Sequence, residues 1–327
     1  MSATPEFSIL MPVSAQREYL ADAVASVLGQ SLDDLELIVI DDAGDADECR
    51  RLAGEDNDPR VRVVSNHRTH GVAGALNCGL DASRGRVICI CDADDLYPPD
   101  YLQRCAALLA QHDSFDAVAG GLETLTSGGK SIAWLHRDAP AGEITAELRS
   151  GKTCTSLCTF AIRRAAMLAT APFRPYFVSS SDIDFQLRLG ERFRVWFDPA
   201  ITYRWRLHDQ SVTHRQAGVE REFFENAARL FQKQRLERGE DDLQRGQPPR
   251  PPDHAGPATS LVAAQQTQQM LLGAAWRQHK CGYKVQAIGL GWRACLAQPG
   301  RLSAWKSLAA LAIKRAGAKN APAAKGP

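Results

Sequence analysis

Four apolar runs of strand length punctuate the first part of the chain: FSILMPV (7–13), LELIVI (35–40), RVRVV (core 61–64) and RVICIC (86–91). Continuous apolar runs suit strands buried on both faces, as in a parallel sheet whose crossovers cover it with helices. The intervening segments supply such helices. REYLADAVASVLGQ carries Tyr19, Leu20, Ala23, Val24, Val27 and Leu28 at helical spacing, and GVAGALNCGLDASRG reads as a helix closed near Gly85. The alternation predicts an α/β fold, a mostly parallel sheet flanked by helices. Such sheets bind ligands at the carboxyl ends of their strands. Pro12 to Ser14, Asp41-Asp42 and Asp92 to Asp95 all stand where apolar strands stop, so they are expected to line one crevice.

A chain of 327 residues with 44% hydrophobic content can fill a sizeable core. A formal charge of +1 offers no global pull toward nucleic acid, and none is expected as a partner. Nine scattered cysteines fit a reducing compartment better than a disulfide framework. Cys89-x-Cys91 and Cys154-x3-Cys158 do not pair as CxxC knuckles, so they read as small buried hydrophobes. Phe7 to Val13 is too short, and lacks the basic start, for a secretory leader. No window reaches the roughly 18 apolar residues of a membrane span. A cytoplasmic protein is expected, attached at most to the inner face of a membrane.

Beyond the fourth strand the pattern is less regular. DAVAGGLETL, SIAWLHR, RVWFDP and ITYRWRLH look like strands, and GKTCTSLCTFAIRRAAML like a loop, a short strand and a short helix. SDIDFQLRLGERF (181–193) reads as a helix. VEREFFENAARLFQKQRLERG is amphipathic, with Phe223, Phe224, Ala227, Leu230 and Phe231 on one side. The expected organisation is a sheet-containing domain over 1–215, the amphipathic helix over 216–240 and a Pro-rich linker or surface excursion over 241–257. A helical C-terminal extension follows over 258–327, with segments near 258–279, 283–297 and 301–316.

The segment CICDADDLYPPD (89–100) places four carboxylates just past a strand. Side-chain direction repeats every two residues in extended chain, so Asp92 and Asp94 can flank one cation. Hard oxygen ligands select Mg²⁺ or Mn²⁺, and magnesium takes a few carboxylates together with substrate phosphates. A metal diphosphate would therefore compensate the cluster. Asp100, before YLQRCAALLAQH, is expected as a helix N-cap.

With these residues in place, the chain resembles the family-2 glycosyltransferases of GT-A fold. The resemblance rests on FSILMPVSAQREYLADAVASVLGQSLDDLELIVIDDAGDAD, NHRTHGVAGALNCGLDASRGRVICICDADDLYPPDYL, SSSDIDFQLRL and WRLHDQSVT, over roughly 7–215. It implies a nucleotide-diphospho-sugar transferase-like mixed sheet. It further implies that Pro12, Ser14, Asp41, Asp42, Asn77, Asp92, Ala93 and Arg206 contribute to the nucleotide-sugar site. Within that set Asp42 matches the acid that meets the base. Asp41-Asp42 otherwise reads as a turn or capping pair, and Asn77 as a tie between loops. Ser14 and Ala15 stand where an aromatic residue or Asn often follows the first strand, which leaves the base open.

By the same resemblance Asp94 is the metal ligand, supported by Asp92 and His208, with Mn²⁺ or Mg²⁺ as cofactor. Arg206 approaches the diphosphate, and Ser211 ends the motif. The family's Glu-Asp-x-Asp appears here as Ser181-Asp182-Ile183-Asp184, which makes Asp182 the candidate base; the alternative is a helix-terminal acid that meets the dipole. Asp184 and Arg188 are expected to form an i,i+4 ion pair. The implied reaction is inverting transfer from a nucleotide-diphosphate sugar, UDP favoured, to a hydroxyl on a glycan, lipid-linked or protein-linked acceptor, in surface glycan assembly. A nucleotide-sugar-binding protein without catalysis is the alternative. A nucleotidyltransferase ranks below it, because MPVSAQREY has no Gly-rich phosphate loop. In RLSAWKSLAALAIKRAGAKN, Leu302, Trp305, Leu308, Leu311 and Ala312 form a stripe beside Lys306, Lys314, Arg315 and Lys319. Residues 301–319 are thus suited to packing on the protein or to contact with a membrane surface.

Overall fold

A computed structural model of the protein describes residues 4–135, 140–208, 218–252 and 263–317. The expectations at Ser211, at Lys319 and over 253–262 lie outside them. The first half alternates as expected: β1 (Phe7–Val13), α1 (Leu20–Leu28), β2 (Leu35–Asp41), α2 (Ala46–Ala53), β3 (Val61–Ser65), α3 (Val72–Ala82), β4 (Val87–Ile90) and α4 (Tyr101–Gln111). Then follow β5 (Ala117–Thr126), β6 (Ser131–Leu135), β7 (Gly142–Glu143), α5 (Thr145–Arg149), β8 (Phe160–Arg163), α6 (Arg164–Thr170), α7 (Ser181–Arg192) and β9 (Val195–Leu207). The remaining helices are α8 (Gly218–Arg238), α9 (Ala263–Lys280), α10 (Lys284–Ala297) and α11 (Leu302–Ile313).

The described strands form one mixed sheet in the order β3-β2-β1-β4-β8-β5-β9-β7, with β6 paired to β5. β1, β2, β3 and β4 are parallel, Phe7 lying opposite both Leu35 and Val87; β8 is antiparallel to β4 and β5. Alternate residues of β1 serve two cores. Phe7, Ile9, Met11 and Val13 pack with Val24 and Val27 of α1 and Tyr101 and Leu102 of α4. Leu10 joins Ile38 and Ile40 against Ala75 and Leu76 of α3 on the other face. Helix α3 approaches closely: a Cβ on Gly79 would lie 2.8 Å from Ile40 Cδ1. That double burial explains why these strands read as unbroken apolar runs.

Several elements differ from expectation. Helix α2 was not anticipated because ADECRRLA is mostly polar and buries little beyond Cys49 and Ala53. Its ends carry the signal instead: Asp45 accepts the amide of Glu48, and Gly54 closes the helix at φ 66°. RVWFDP and ITYRWRLH are one strand, β9. Asp100 sits at the N-cap of α4 without capping it; its carboxylate takes Arg104 Nε at 2.6 Å.

The chain divides into two compact units. The first comprises 1–122, 136–205 and 217–257, a division that groups the amphipathic helix and residues 241–252 with the sheet. The reason is burial. Phe224, Ala227, Ala228 and Phe231 of α8 pack on Phe177, Ile183 and Leu187, while Leu230 of the expected stripe is exposed. Asp241 is buried in ion pairs to Arg174 and Arg235, and Tyr176 donates to Pro249 O at 2.8 Å. The second unit comprises 123–135, 206–216 and 258–327. In it Ala275, Ala287 and Leu311 form a small core. The expected α11 stripe divides: Leu308 and Leu311 face Gly291 of α10, whereas Leu302 and Ala312 are exposed. No described helix is long and apolar enough to cross a membrane.

Candidate active site

The site is built where β4 stops. Past Ile90 the chain turns through Asp92 to Asp95, closed by the Asp95 amide on Asp92 O at 3.1 Å. Tyr203 of β9 holds the turn from both ends. Its hydroxyl donates to Asp95 Oδ2 at 2.7 Å and accepts the Asp92 amide at 3.1 Å. Leu96 and Arg204 exchange backbone hydrogen bonds, and Tyr97 donates to Ile90 O at 2.9 Å. The four carboxylates of residues 92–100 thus separate by role. Asp95 is buried and structural, Asp100 pairs with Arg104, and Asp92 and Asp94 remain half-buried at the strand end.

Asp182 joins them from a distant part of the chain. Ser180, at φ 60° and ψ 22°, turns the backbone so that α7 starts at Ser181 and Asp182 stands in its first turn. Burial pushes the Asp182 carboxyl up from its ordinary value, and Glu225 adds to this; the amide of Ile183 and Arg221 of α8 act against it. Asp92 is pushed up to about 7, by burial first and by Asp94 and Asp182 besides, against a hydrogen bond from Cys158 Sγ at 3.2 Å. Asp92 thus senses the charges of both Asp94 and Asp182, and carboxylate oxygens are the donors Mg²⁺ and Mn²⁺ prefer. Among the described residues no group of three or more His, Cys, Asp and Glu is placed to hold a metal ion. Of the expected set, Asp94 and Asp92 stand at the end of β4 in the first unit, and His208 belongs to the second.

The second strand's acids point to opposite sides, as adjacent residues at a strand end do. Asp41 is buried, taking Arg17 Nη2 at 3.3 Å and the Ala43 amide at 3.1 Å. Asp42 turns to the loop before α3, accepting Asn66 Nδ2 at 2.6 Å and the Gly71 amide at 2.9 Å, with His70 Nδ1 at 3.3 Å. Asn77 is a tie within the fold. Its amide donates to Phe173 O and accepts Phe173 N–H, both at 2.8 Å, so it faces that loop and not the strand ends. Pro12 is half-buried in β1, Ser14 is exposed, and Ala93 is half-buried between the two acids.

Asp184 forms the expected pair with Arg188, at 3.0 Å, but within a larger buried network. Arg174 grips Asp184 with two nitrogens and Asp241 with a third; Arg235 joins Asp241 to Glu191. Arg206 and His208 belong to the second unit and are buried there, Arg206 Nη1 donating to Ser127 O at 2.8 Å. Tyr203, Arg17 and Arg174 carry no signal in the sequence for these contacts, and Cys158 reads there only as a small hydrophobe. Tyr203 and Cys158 lay inside recognised segments, but only tertiary contacts give them their partners.

The model of the family described as Glycosyl transferase family 2 matches residues 8–173, from β1 to the loop that Asn77 holds. Succinoglycan biosynthesis protein ExoO of Rhizobium meliloti (strain 1021) is 31% identical over 130 residues, 39% of this chain and 36% of its own length. EpsH of Bacillus subtilis (strain 168) is 27% identical over 240 residues, 70% of this chain and 68% of EpsH. The chain thus spans about a third of one relative and two thirds of the other. Among solved structures, S. aureus TarS 1-349 in complex with UDP-GlcNAc matches 91% of this chain and 83% of its own at TM-score 0.59 and 16% identity. Mannosyltransferase PcManGT from Pyrobaculum calidifontis in complex with GDP-Man and Mn²⁺ matches 95% and 80% at TM-score 0.50 and 19% identity. These two likenesses establish a shared fold, the nucleotide-sugar transferase architecture called GT-A. With more than half of the chain, including β4 and its acidic turn, inside the family match, the protein belongs to glycosyl transferase family 2.

Proposed function

We propose that the protein is an inverting, metal-dependent glycosyltransferase. It moves a sugar from a nucleotide-diphosphate donor, UDP-linked by preference, to a hydroxyl acceptor in the assembly of a surface polysaccharide or glycoconjugate. The observation that carries this reading is the electrostatic convergence of Asp92, Asp94 and Asp182, drawn from a strand end and a helix start 88 residues apart. The relative named for succinoglycan biosynthesis and the fold neighbours bound to UDP-GlcNAc and to GDP-Man with Mn²⁺ support it.

Asp94, with Asp92, is the proposed holder of the cation; when bound, Mg²⁺ or Mn²⁺ supplies positive charge for the departing diphosphate. Pro12, Ser14, Asp42 and Ala93, at the ends of β1, β2 and β4, are proposed to line the donor. The acceptor oxygen attacks the anomeric carbon as its proton passes to the Asp182 carboxylate. The bond from that carbon to the diphosphate oxygen breaks on the opposite side, and the nucleoside diphosphate leaves with the bonding pair. One displacement inverts the configuration. Burial makes Asp182 a stronger base than an exposed carboxylate, which suits this role.

The test is a thermal-shift panel of nucleotide sugars with and without Mn²⁺, followed by transfer assays. A donor at 100 times its Kd stabilises the folded state by about 2.7 kcal/mol. Asp94→Ala should lose the metal-dependent shift. Asp182→Asn should keep it and lose transfer by on the order of 10²- to 10⁴-fold. Transfer by Asp182→Asn at the wild-type rate would remove the base from this scheme.

A further inference from the structure

The formal charge of +1 conceals a division. Residues 254–327 contain ten Lys or Arg and no Asp or Glu, so +10 there stands against −9 in residues 1–253. The described helices of this segment are also turned unusually. Helix α10 buries Ala287, Gly291, Ala294 and Cys295, and α11 buries Ala304 and Leu311. A surface helix with a packed face ordinarily presents polar residues on the other. Here much of the opposite faces is apolar, although Gln286 and Arg293 on α10 and Ser303 and Lys306 on α11 are exposed as well. Val285, Gly289, Trp292 and Leu296 recur along the outer face of α10, all exposed. Leu302, Ala309 and Ile313 do the same on α11, with Lys306 between them at the same spacing and Trp305 half-buried at the edge. Val285, Leu302 and Ile313 are 82%, 74% and 83% exposed. The rings of Trp292 and Trp305 meet edge to face at 5.6 Å, which sets the two faces side by side. Arg301, Lys306, Lys314 and Arg315 are exposed around them.

We propose that α10 and α11 form a docking surface for an anionic phospholipid membrane. An exposed apolar surface of this kind marks an interaction site. Its occupant must accept aliphatic side chains and bear negative charge. A second copy docked by the same face would oppose Lys and Arg to Lys and Arg. Nucleic acid offers phosphates but no apolar layer for Val285, Leu296, Leu302 and Ile313. A bilayer rich in acidic headgroups offers both: charge at the depth of Lys306 and Arg301, and an acyl boundary for the aliphatic and indole side chains. This surface lies in the second unit and is independent of the transferase reading.

The experiment uses the full chain at low salt with phosphatidylcholine vesicles, with and without phosphatidylglycerol. The protein should float with the anionic vesicles alone, and brominated acyl chains should quench its tryptophan fluorescence. Added salt should release it. Each basic residue near such a surface contributes about a fivefold factor, so Lys306→Glu should weaken binding by more than that. Leu302→Asp with Ile313→Asp, at exposed positions, should weaken it at least about tenfold with Tm unchanged. Failure to float with anionic vesicles, absence of quenching in the unmodified protein, or full binding by the double variant overturns the proposal. Two other results also overturn it. Tighter binding to single-stranded DNA that the double variant retains would assign the charge to nucleic acid. A concentration-dependent mass increase in light scattering that this variant abolishes would assign the face to a second copy.

Discussion

Replacing Asp184 with Asn, beside the matched replacement of Asp100, measures how far burial changes the worth of one contact. Both acids pair with an Arg four residues on, in one helix: Asp100–Arg104 at 2.6 Å in α4 and Asp184–Arg188 at 3.0 Å in α7. By distance alone the α4 pair should matter more. Asp100 is 47% exposed at its side chain, however, and pairs of that kind are worth about 0.3–0.5 kcal/mol. Asp184 is 0% exposed, and its carboxylate also holds Arg174. Burial and Arg174 already press Arg188 below its ordinary value, with Asp184 acting against them. Without that charge the largely buried Arg188 loses its carboxylate partner and Arg174 keeps only Asp241, which costs about 3–5 kcal/mol. Such a loss is a large share of the stability of an ordinary domain. Urea denaturation at pH 7, followed by far-UV circular dichroism, would report both changes through the midpoint and slope. Asp184→Asn should shift the midpoint strongly and Asp100→Asn barely. Costs that agree within about 1 kcal/mol would refute the reasoning, because burial and the Arg174 connection would then contribute nothing. Since Asp182 stands two residues before Asp184 on α7, transfer should also fall in the Asp184 variant at temperatures where the fold persists.

Two further outcomes follow from single contacts. Burial raises Glu36, but the hydroxyl of Ser8, at 2.6 Å, with the amide and guanidinium of Arg84 prevail and hold it below its ordinary 4.5. A depressed carboxyl stabilises the fold above its unfolded value and loses that contribution as pH falls through the folded one, so Glu36→Gln should cost about 1–3 kcal/mol at pH 7 and progressively less below pH 4.5. A difference that does not vary with pH would contradict this. Tyr203→Phe removes both hydrogen bonds that the hydroxyl makes to the acidic turn; calorimetric titration should show metal-dependent donor binding weakened about tenfold, the equivalent of one net hydrogen bond to a charged group, and unchanged affinity would show that the backbone bonds of the turn suffice.

What this sequence settled unaided is periodic and local. Unbroken apolar strands and helical stripes specify β1 to β4 with α1 and α3, because strands buried on both faces cannot alternate with polar residues. The same periodicity brings the acids to the strand ends. It fails where an element is short or polar, as with α2, whose evidence lies in its caps, and β7, which spans two residues. Tertiary structure decided which charge faces which. Adjacent Asp41 and Asp42 serve opposite sides, Asp95 belongs to Tyr203 while Asp92 senses the charges of Asp94 and Asp182, and Asp184 gains Arg174 from ten residues upstream. On α11 it turned Leu311 inward and Leu302 outward, although both belong to one apolar stripe by composition. The physical reason is that an apolar side chain is rewarded for leaving water almost anywhere, whereas a charge needs a particular partner at a particular distance, and that partner is supplied only when remote segments meet.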